Sequence, residues 1–142
     1  MKIKNFLAIL TLLLFGYLSN AQSVFGVWKT IDDKTGEPKS HVKIYEKDGK
    51  LYGRVVKLLP AATTSVCNNC PGDKNGKSLY DVDIIWDMKK DGDKWDGGRI
   101  VDPANGKVYR CKIYLKDKDK LIVRGYIGFS LFGRSQTWHR VE

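Results

Sequence analysis

The residues in this sequence best equipped for chemistry begin with Cys67-Asn68-Asn69-Cys70. A redox-active pair at this spacing needs a helix N-terminus to lower a thiol pKa. Here Pro71-Gly72-Asp73 follows, which does not read as the start of a helix. A zinc site needs about four ligands. Cys111, His41 and His139 are the other candidates, at no recognisable spacing. The bland reading is a short disulfide staple inside a loop, of the kind that forms in an oxidising compartment. A metal knuckle, a redox pair and a bridge to Cys111 stand as its alternatives. No hydrolytic machinery is recognisable. There is no Gly-x-Ser-x-Gly, and Asp83 and Asp87 would lie about 13 Å apart along a strand, far for a catalytic carboxylate pair. The expectation is a non-enzyme with no cofactor and no metal.

Two arginine–tyrosine pairs suit anion binding. Tyr52-x-Arg54 and Arg124-x-Tyr126 each place a guanidinium and a phenol on one strand face. A fork of N–H donors beside a phenol matches a carboxylate. The Arg-x-Tyr arrangement near the C-terminus resembles that of intracellular fatty-acid carriers, where it holds the ligand carboxylate. The resemblance implies a ligand-binding role for Arg124 and Tyr126, and the same pairing of residue types makes Tyr52 and Arg54 candidates. The pattern around them points the other way: Leu121, Val123 and Ile127 form the apolar face, which turns Arg124 and Tyr126 outward.

The elements that must position these residues are short and apolar-rich, each ended by a turn signal. They run from Val24 to Ile31, Ser40 to Lys47, Leu51 to Leu58, Val82 to Met88, Lys94 to Val101, Lys107 to Leu115, Leu121 to Ile127 and Arg134 to Val141. Asp48-Gly49, Asp91-Gly92 and Asn105-Gly106 sit between them, and such pairs favour hairpin turns. Tyr109, Cys111, Ile113 and Leu115 alternate with Arg110 and Lys112; Val82, Ile84, Trp86 and Met88 alternate with Asp83 and Asp87. A period of two predicts half-buried strands. One long connection, Pro60 to Leu79, interrupts the series, and a short helical turn fits Leu59 to Ser65. About eight sequential antiparallel strands close most simply into an up-and-down barrel, which removes exposed edges. The fold class is all-β. Because the outward faces carry Lys, Arg and Asp and the strands are short, a membrane-spanning barrel with its apolar outer band is disfavoured.

Gly26-Val27-Trp28 opens the first strand, and Arg134, Trp138 and Arg140 lie on the last. This arrangement resembles the lipocalin-like, or calycin, superfamily. There the indole of a Gly-x-Trp crosses the closed barrel end beneath a basic side chain. The resemblance implies a structural role for Gly26, Trp28, Trp138 and one of Arg134 and Arg140. Face parity favours Arg140, which shares a face with Trp138 and Gln136.

The chain after its leader is also similar, over most of its length, to a family of exported bacterial proteins known only as a domain of unknown function. The matching segments are Gly26-Val27-Trp28, Gly53-Arg54-Val55, Cys67 to Gly72, Trp95-Asp96-Gly97-Gly98, Asp102-Pro103, Asn105 to Tyr109, Arg124 to Gly128 and Gly133 to Trp138. This implies the lipocalin-like barrel and supplies no activity.

The first 21 residues read as a signal peptide. Met1 to Asn5 form a basic stub, Phe6 to Leu18 an apolar run, and Ser19-Asn20-Ala21 a small-residue cleavage site. The run is shorter than the roughly 20 residues a spanning helix needs. Cleavage before Gln22 leaves one domain, 22–142, outside the cytoplasm. That segment holds 23 basic and 16 acidic residues, a net charge of +7. Such an excess can mean nucleic acid, an anionic membrane surface or an anionic ligand, and for an exported chain nucleic acid loses weight. The signs also alternate, as in Glu46-Lys47-Asp48 and Lys116-Asp117-Lys118-Asp119-Lys120, which reads as solvated hairpin turns more than a binding stripe. The functional expectation is a small barrel binding an apolar or amphipathic anionic ligand. The rivals are a protein-interaction or inhibitor-type module acting through its loops, and a thiol or metal protein using Cys67 and Cys70.

Overall fold

Eight antiparallel strands close on themselves in sequence order. They are β1 (Gly26–Ile31), β2 (Pro38–Lys47), β3 (Lys50–Leu58), β4 (Asp83–Asp91), β5 (Lys94–Val101), β6 (Val108–Asp117), β7 (Lys120–Tyr126) and β8 (Gly133–Arg140). These come from a computed structural model, which describes residues 22–142; the expected leader falls outside the described residues. β1 and β8 complete the barrel, pairing Trp28 with Arg140 and Lys29 with His139. All eight expected strands are present. Among the described residues no helix is long and apolar enough to cross a membrane.

The hairpin turns follow from their residues. Asp48 and Gly49 both take positive φ, 51° and 76°, the backbone twist a two-residue hairpin requires. The long β3–β4 connection holds two 3-10 turns, Gly72–Lys74 and Leu79–Asp81. Of the helical turn expected near Leu59 to Ser65, a single hydrogen-bonded turn forms, the Ala62 amide donating to the Leu59 carbonyl at 2.9 Å, and the rest of that stretch is irregular; Ser78 caps the second 3-10 turn by accepting from the Tyr80 amide.

Alternation holds on β6, where Cys111 and Ile113 are fully buried. On β4 it fails. The β3–β4 register shifts between Gly53 and Arg54 and again between Leu51 and Gly53, and Asp87 has a φ of 56°. These bulges bring Ile84, Ile85 and Met88 all into the core, while Trp86 lies only half-buried beneath the Lys74 ammonium, 4.6 Å from its ring. A bulge adds a residue to one strand and so moves the side chains beyond it to the other face. That is why a strict period of two misassigns Ile85 and Trp86.

The interior is filled unevenly. Trp28, Val42, Ile44, Leu51, Ile85, Met88, Cys111, Ile113 and Leu121 pack the half where β1 begins and β8 ends. Towards the other end the inward positions carry Thr30, Ser40 and Gly125, and a cavity opens between them.

Candidate functional site

The closed end of the barrel fixes which end can admit a ligand. The Trp28 ring is fully buried, and its Nε1 donates to the Val24 carbonyl at 2.9 Å. The Arg140 guanidinium lies 4.2 Å above the ring centroid. Its nitrogens also donate to the carbonyls of Lys118 at 2.6 Å, Phe25 at 3.2 Å and Ser23 at 2.6 Å. One side chain thus ties the β6–β7 turn and the entering chain across the indole. Gly26, at φ 137°, makes this possible. A Cβ there would sit 2.5 Å from the Glu142 carbonyl oxygen and 2.9 Å from Arg140 Nη1.

Arg134 is not part of this plug, and that half of the expectation is corrected. It shares a face with Arg140 but lies six residues away, roughly 20 Å along a strand. Its Nη2 pairs with Asp33 Oδ2 at 2.8 Å, at the opposite, open end.

The open end holds a cavity of about 570 Å³, in the size range of small-molecule sites. One side of its wall is apolar: Val55, Leu79, Ile84, Ile100, Val101 and Val123. The other side, from β1, β2 and β8, carries the polar groups. The hydroxyls of Thr30 and Ser40 lie 2.8 Å apart. At the floor, Trp138 Nε1 donates to Gln136 Oε1 at 3.0 Å, and Gln136 Nε2 donates to Asp33 Oδ2 at 2.8 Å. Asp33 also receives Arg134. A connected strip of polar groups therefore runs from the cavity floor to its mouth. Lys39 stands on the same rim, 3.7 Å from Asp32. The backbone amides of Thr35 and Lys34 hold the Asp32 carboxyl below its ordinary range, with Lys39 adding to the effect.

The two arginine–tyrosine pairs do not form the expected interior clamp. Tyr52 and Arg54 face outward from β3; Arg54 Nε lies 3.2 Å from Asp83 Oδ1, and the Tyr52 hydroxyl donates to Asp87. Tyr45 joins them, its hydroxyl donating to the same Asp83 oxygen at 2.6 Å; burial and that bond push its pKa up to about 12. Arg124 braces the β7–β8 loop from outside. Tyr126 borders the cavity, but its hydroxyl donates to Asp96 at 2.8 Å on the outer face of the sheet. The physical reason is parity: Val123 and Gly125 take the inward positions, so Arg124 and Tyr126 cannot. The wall residues that sequence reasoning misses are Thr30, Ser40 and Gly125. Their signal is small or hydroxylated side chains at inward positions near one barrel end, where large apolar ones would fill the space.

Cys67 and Cys70 form a disulfide, Cα atoms 5.6 Å apart, and Cys111 is a buried free thiol. Burial pushes the Cys111 pKa up, with the Asp96 charge adding to it. Among the described residues no group of three His, Cys, Asp or Glu side chains is placed to hold a metal. The disulfide shapes the β3–β4 loop, which docks on the β5–β6 turn through the Asn68 amide donating to the Pro103 carbonyl at 2.9 Å. The same loop supplies Ala62, Thr63 and Thr64 to the cavity mouth. Replacing both cysteines with Ser should leave the barrel folded. The ring is only a few residues long, so the chain-entropy contribution is at the low end, about 2 kcal/mol. A thermal melt of the double variant checks this. Thiol counting in denaturant without reductant should give one reactive group, Cys111, which stays unreactive in the native protein.

The pattern of strands, the plugged end and the loop disulfide sit together on one sequence stretch, residues 26–140, and that stretch matches the family described as "Uncharacterized protein conserved in bacteria (DUF2147)". The chain belongs to this family. Its fold is also that of a solved structure, protein HP1028 from Helicobacter pylori, described as belonging to the lipocalin family. The two share 18% sequence identity and a TM-score of 0.74, over 86% of this chain and 85% of that one. None of the curated proteins matches the chain. For this DUF2147 member the comparisons establish the lipocalin-like barrel.

Proposed function

We propose that this protein is an exported carrier or binder of a small amphipathic ligand, held in the cavity at the open end of the barrel. The observation that carries the reading is the two-sided wall: an apolar surface from β3 to β7 facing the polar strip of Thr30, Ser40, Gln136 and Asp33. An apolar ligand body gains roughly 25 cal/mol for each Å² of surface it buries against the first. A polar head is served by the second, whose rim charges are paired, Arg134 with Asp33 and Lys39 with Asp32. The resemblance to a lipocalin-family fold is consistent with this use of a barrel.

The test is native mass spectrometry of protein purified from its host, followed by titration with an amphipathic anionic fluorophore. The expected result is a retained small-molecule adduct, or a displaceable fluorophore that quenches Trp138 emission. Neither adduct nor displaceable binding would sink the proposal. Export is supported by the disulfide, which persists in oxidising compartments. Intact-mass measurement of the exported protein should find a chain beginning at Gln22; a full-length membrane-bound species would contradict this.

A further inference from the structure

The β7–β8 loop, residues 127–132, exposes four large apolar side chains beside the cavity mouth. Ile127 is 69% exposed, Phe129 75%, Leu131 86% and Phe132 70%. Isolated exposed apolar residues are ordinary, but a contiguous group marks a contact surface. The loop backbone shows what kind of surface. Five consecutive carbonyls accept hydrogen bonds from within the protein. Gly128 accepts from Arg110 Nη1 at 3.3 Å, and Phe129 from the Phe132 amide at 3.0 Å. Ser130 accepts from Arg124 Nε at 2.8 Å, Leu131 from Arg124 Nη2 at 3.4 Å, and Phe132 from the Ile127 amide at 3.1 Å. A protein partner or water could satisfy these groups from outside. A medium without donors could not, and there each unsatisfied carbonyl is costly.

The charges at the base of the loop agree. Among the described residues Arg110 and Arg124 have no carboxylate within salt-bridge distance, so their charge is not cancelled locally. The amides of residues 128–131 find no acceptor among the described residues, which leaves N–H donors for phosphate oxygens at the depth of the headgroups. We infer that the β7–β8 loop docks the open end of the barrel on an anionic lipid surface, with Phe129 and Leu131 reaching the acyl boundary and Arg110 and Arg124 facing the headgroups. Apolar insertion and basic charge together give the two contributions that reversible interfacial binding needs. Ile127 and Phe132 also border the cavity, so docking would set the mouth against the bilayer. The inference goes beyond the carrier reading and does not depend on it.

The experiment is sedimentation of the disulfide-intact protein with two kinds of vesicle: phosphatidylcholine alone, and phosphatidylcholine with about a third phosphatidylglycerol. The wild type should bind the anionic vesicles, weakening with salt. Phe129→Ser with Leu131→Ser should reduce binding by about tenfold or more. Those two residues lie outside the cavity wall and are exposed, so the variant should melt with the wild type and still bind the soluble fluorophore. Loss of fluorophore binding in the wild type would count against the carrier alone. A Phe129→Trp variant should show emission quenched by brominated acyl chains. The inference is overturned if the wild type binds neither vesicle, if the double variant binds as the wild type does, or if bromine leaves the emission of the Phe129→Trp variant unchanged. It is equally overturned if the wild type self-associates through this loop and ignores lipid.

Discussion

Trp28→Ala should lower the unfolding free energy of the barrel by about 3–5 kcal/mol, the usual range for truncating a buried aromatic. That is a large share of the roughly 5–15 kcal/mol that holds a domain of this size folded. Trp28 combines complete burial, an indole N–H bonded to Val24, and a guanidinium 4.2 Å above its ring. Removing the indole leaves a cavity in the packed half of the barrel. It also leaves the Val24 carbonyl without its donor and Arg140 without the ring below it. Chemical denaturation of wild type and variant gives the difference directly. The cation–π part can be separated with Arg140→Met, which keeps much of the stem and removes the charge. A double-mutant cycle should then return a coupling of about 1–2 kcal/mol. A loss below about 1 kcal/mol for Trp28→Ala would mean the plug is not what closes this end.

Which arginine covers the indole is not legible in the sequence, since Arg134 and Arg140 share a face and only the pairing of Trp28 with Arg140 separates them. The Gly26-x-Trp28 part of the plug is legible because it is local. The hairpins are legible for the same reason: Asp48-Gly49 writes its own backbone geometry. What escapes depends on non-local events. The bulges of β4 leave no mark in the pattern Asp83-Ile84-Ile85-Trp86-Asp87-Met88, and the register that places them is set by pairing with Gly53 and Leu51 on β3. The arginine–tyrosine pairs draw attention by residue type, yet alternation against Val123 already places Arg124 and Tyr126 outside. The polar strip cannot be read at all, since Asp33 and Gln136 meet across 103 residues of chain. The loop from Ile127 to Phe132 reads as the end of a strand and a turn. Its distinguishing feature, carbonyls bound by Arg110 and Arg124, exists only once β6 and β7 are paired.

Gly125→Leu should weaken ligand binding about a hundredfold while leaving the barrel as stable as before or slightly more so. Gly125 lies on β7 between Val123 and Ile127 and borders the cavity. The atoms nearest to a Cβ built there belong to Tyr109 and Ile100, at 3.5–3.8 Å, which is ordinary contact, and the backbone has no positive φ to relieve. The four added carbons of leucine therefore extend into the hollow half of the barrel instead of displacing neighbours. Replacing a strand glycine also lowers the conformational entropy of the unfolded chain, a gain of up to about 1 kcal/mol at a compatible position. Binding moves the other way, because the new side chain occupies the space the apolar part of a ligand would fill. Fluorophore titration should show affinity reduced by about a hundredfold, the equivalent of roughly 3 kcal/mol. Gly125→Ala, one carbon larger than the wild type, should bind nearly as well as the wild type. This pair separates the cavity from the outside of the barrel: the outer Arg54–Asp83 cluster is untouched by a side chain pointing inward from β7. If Gly125→Leu folds and still binds with wild-type affinity, the ligand does not enter the barrel, and the function must be sought on its outside.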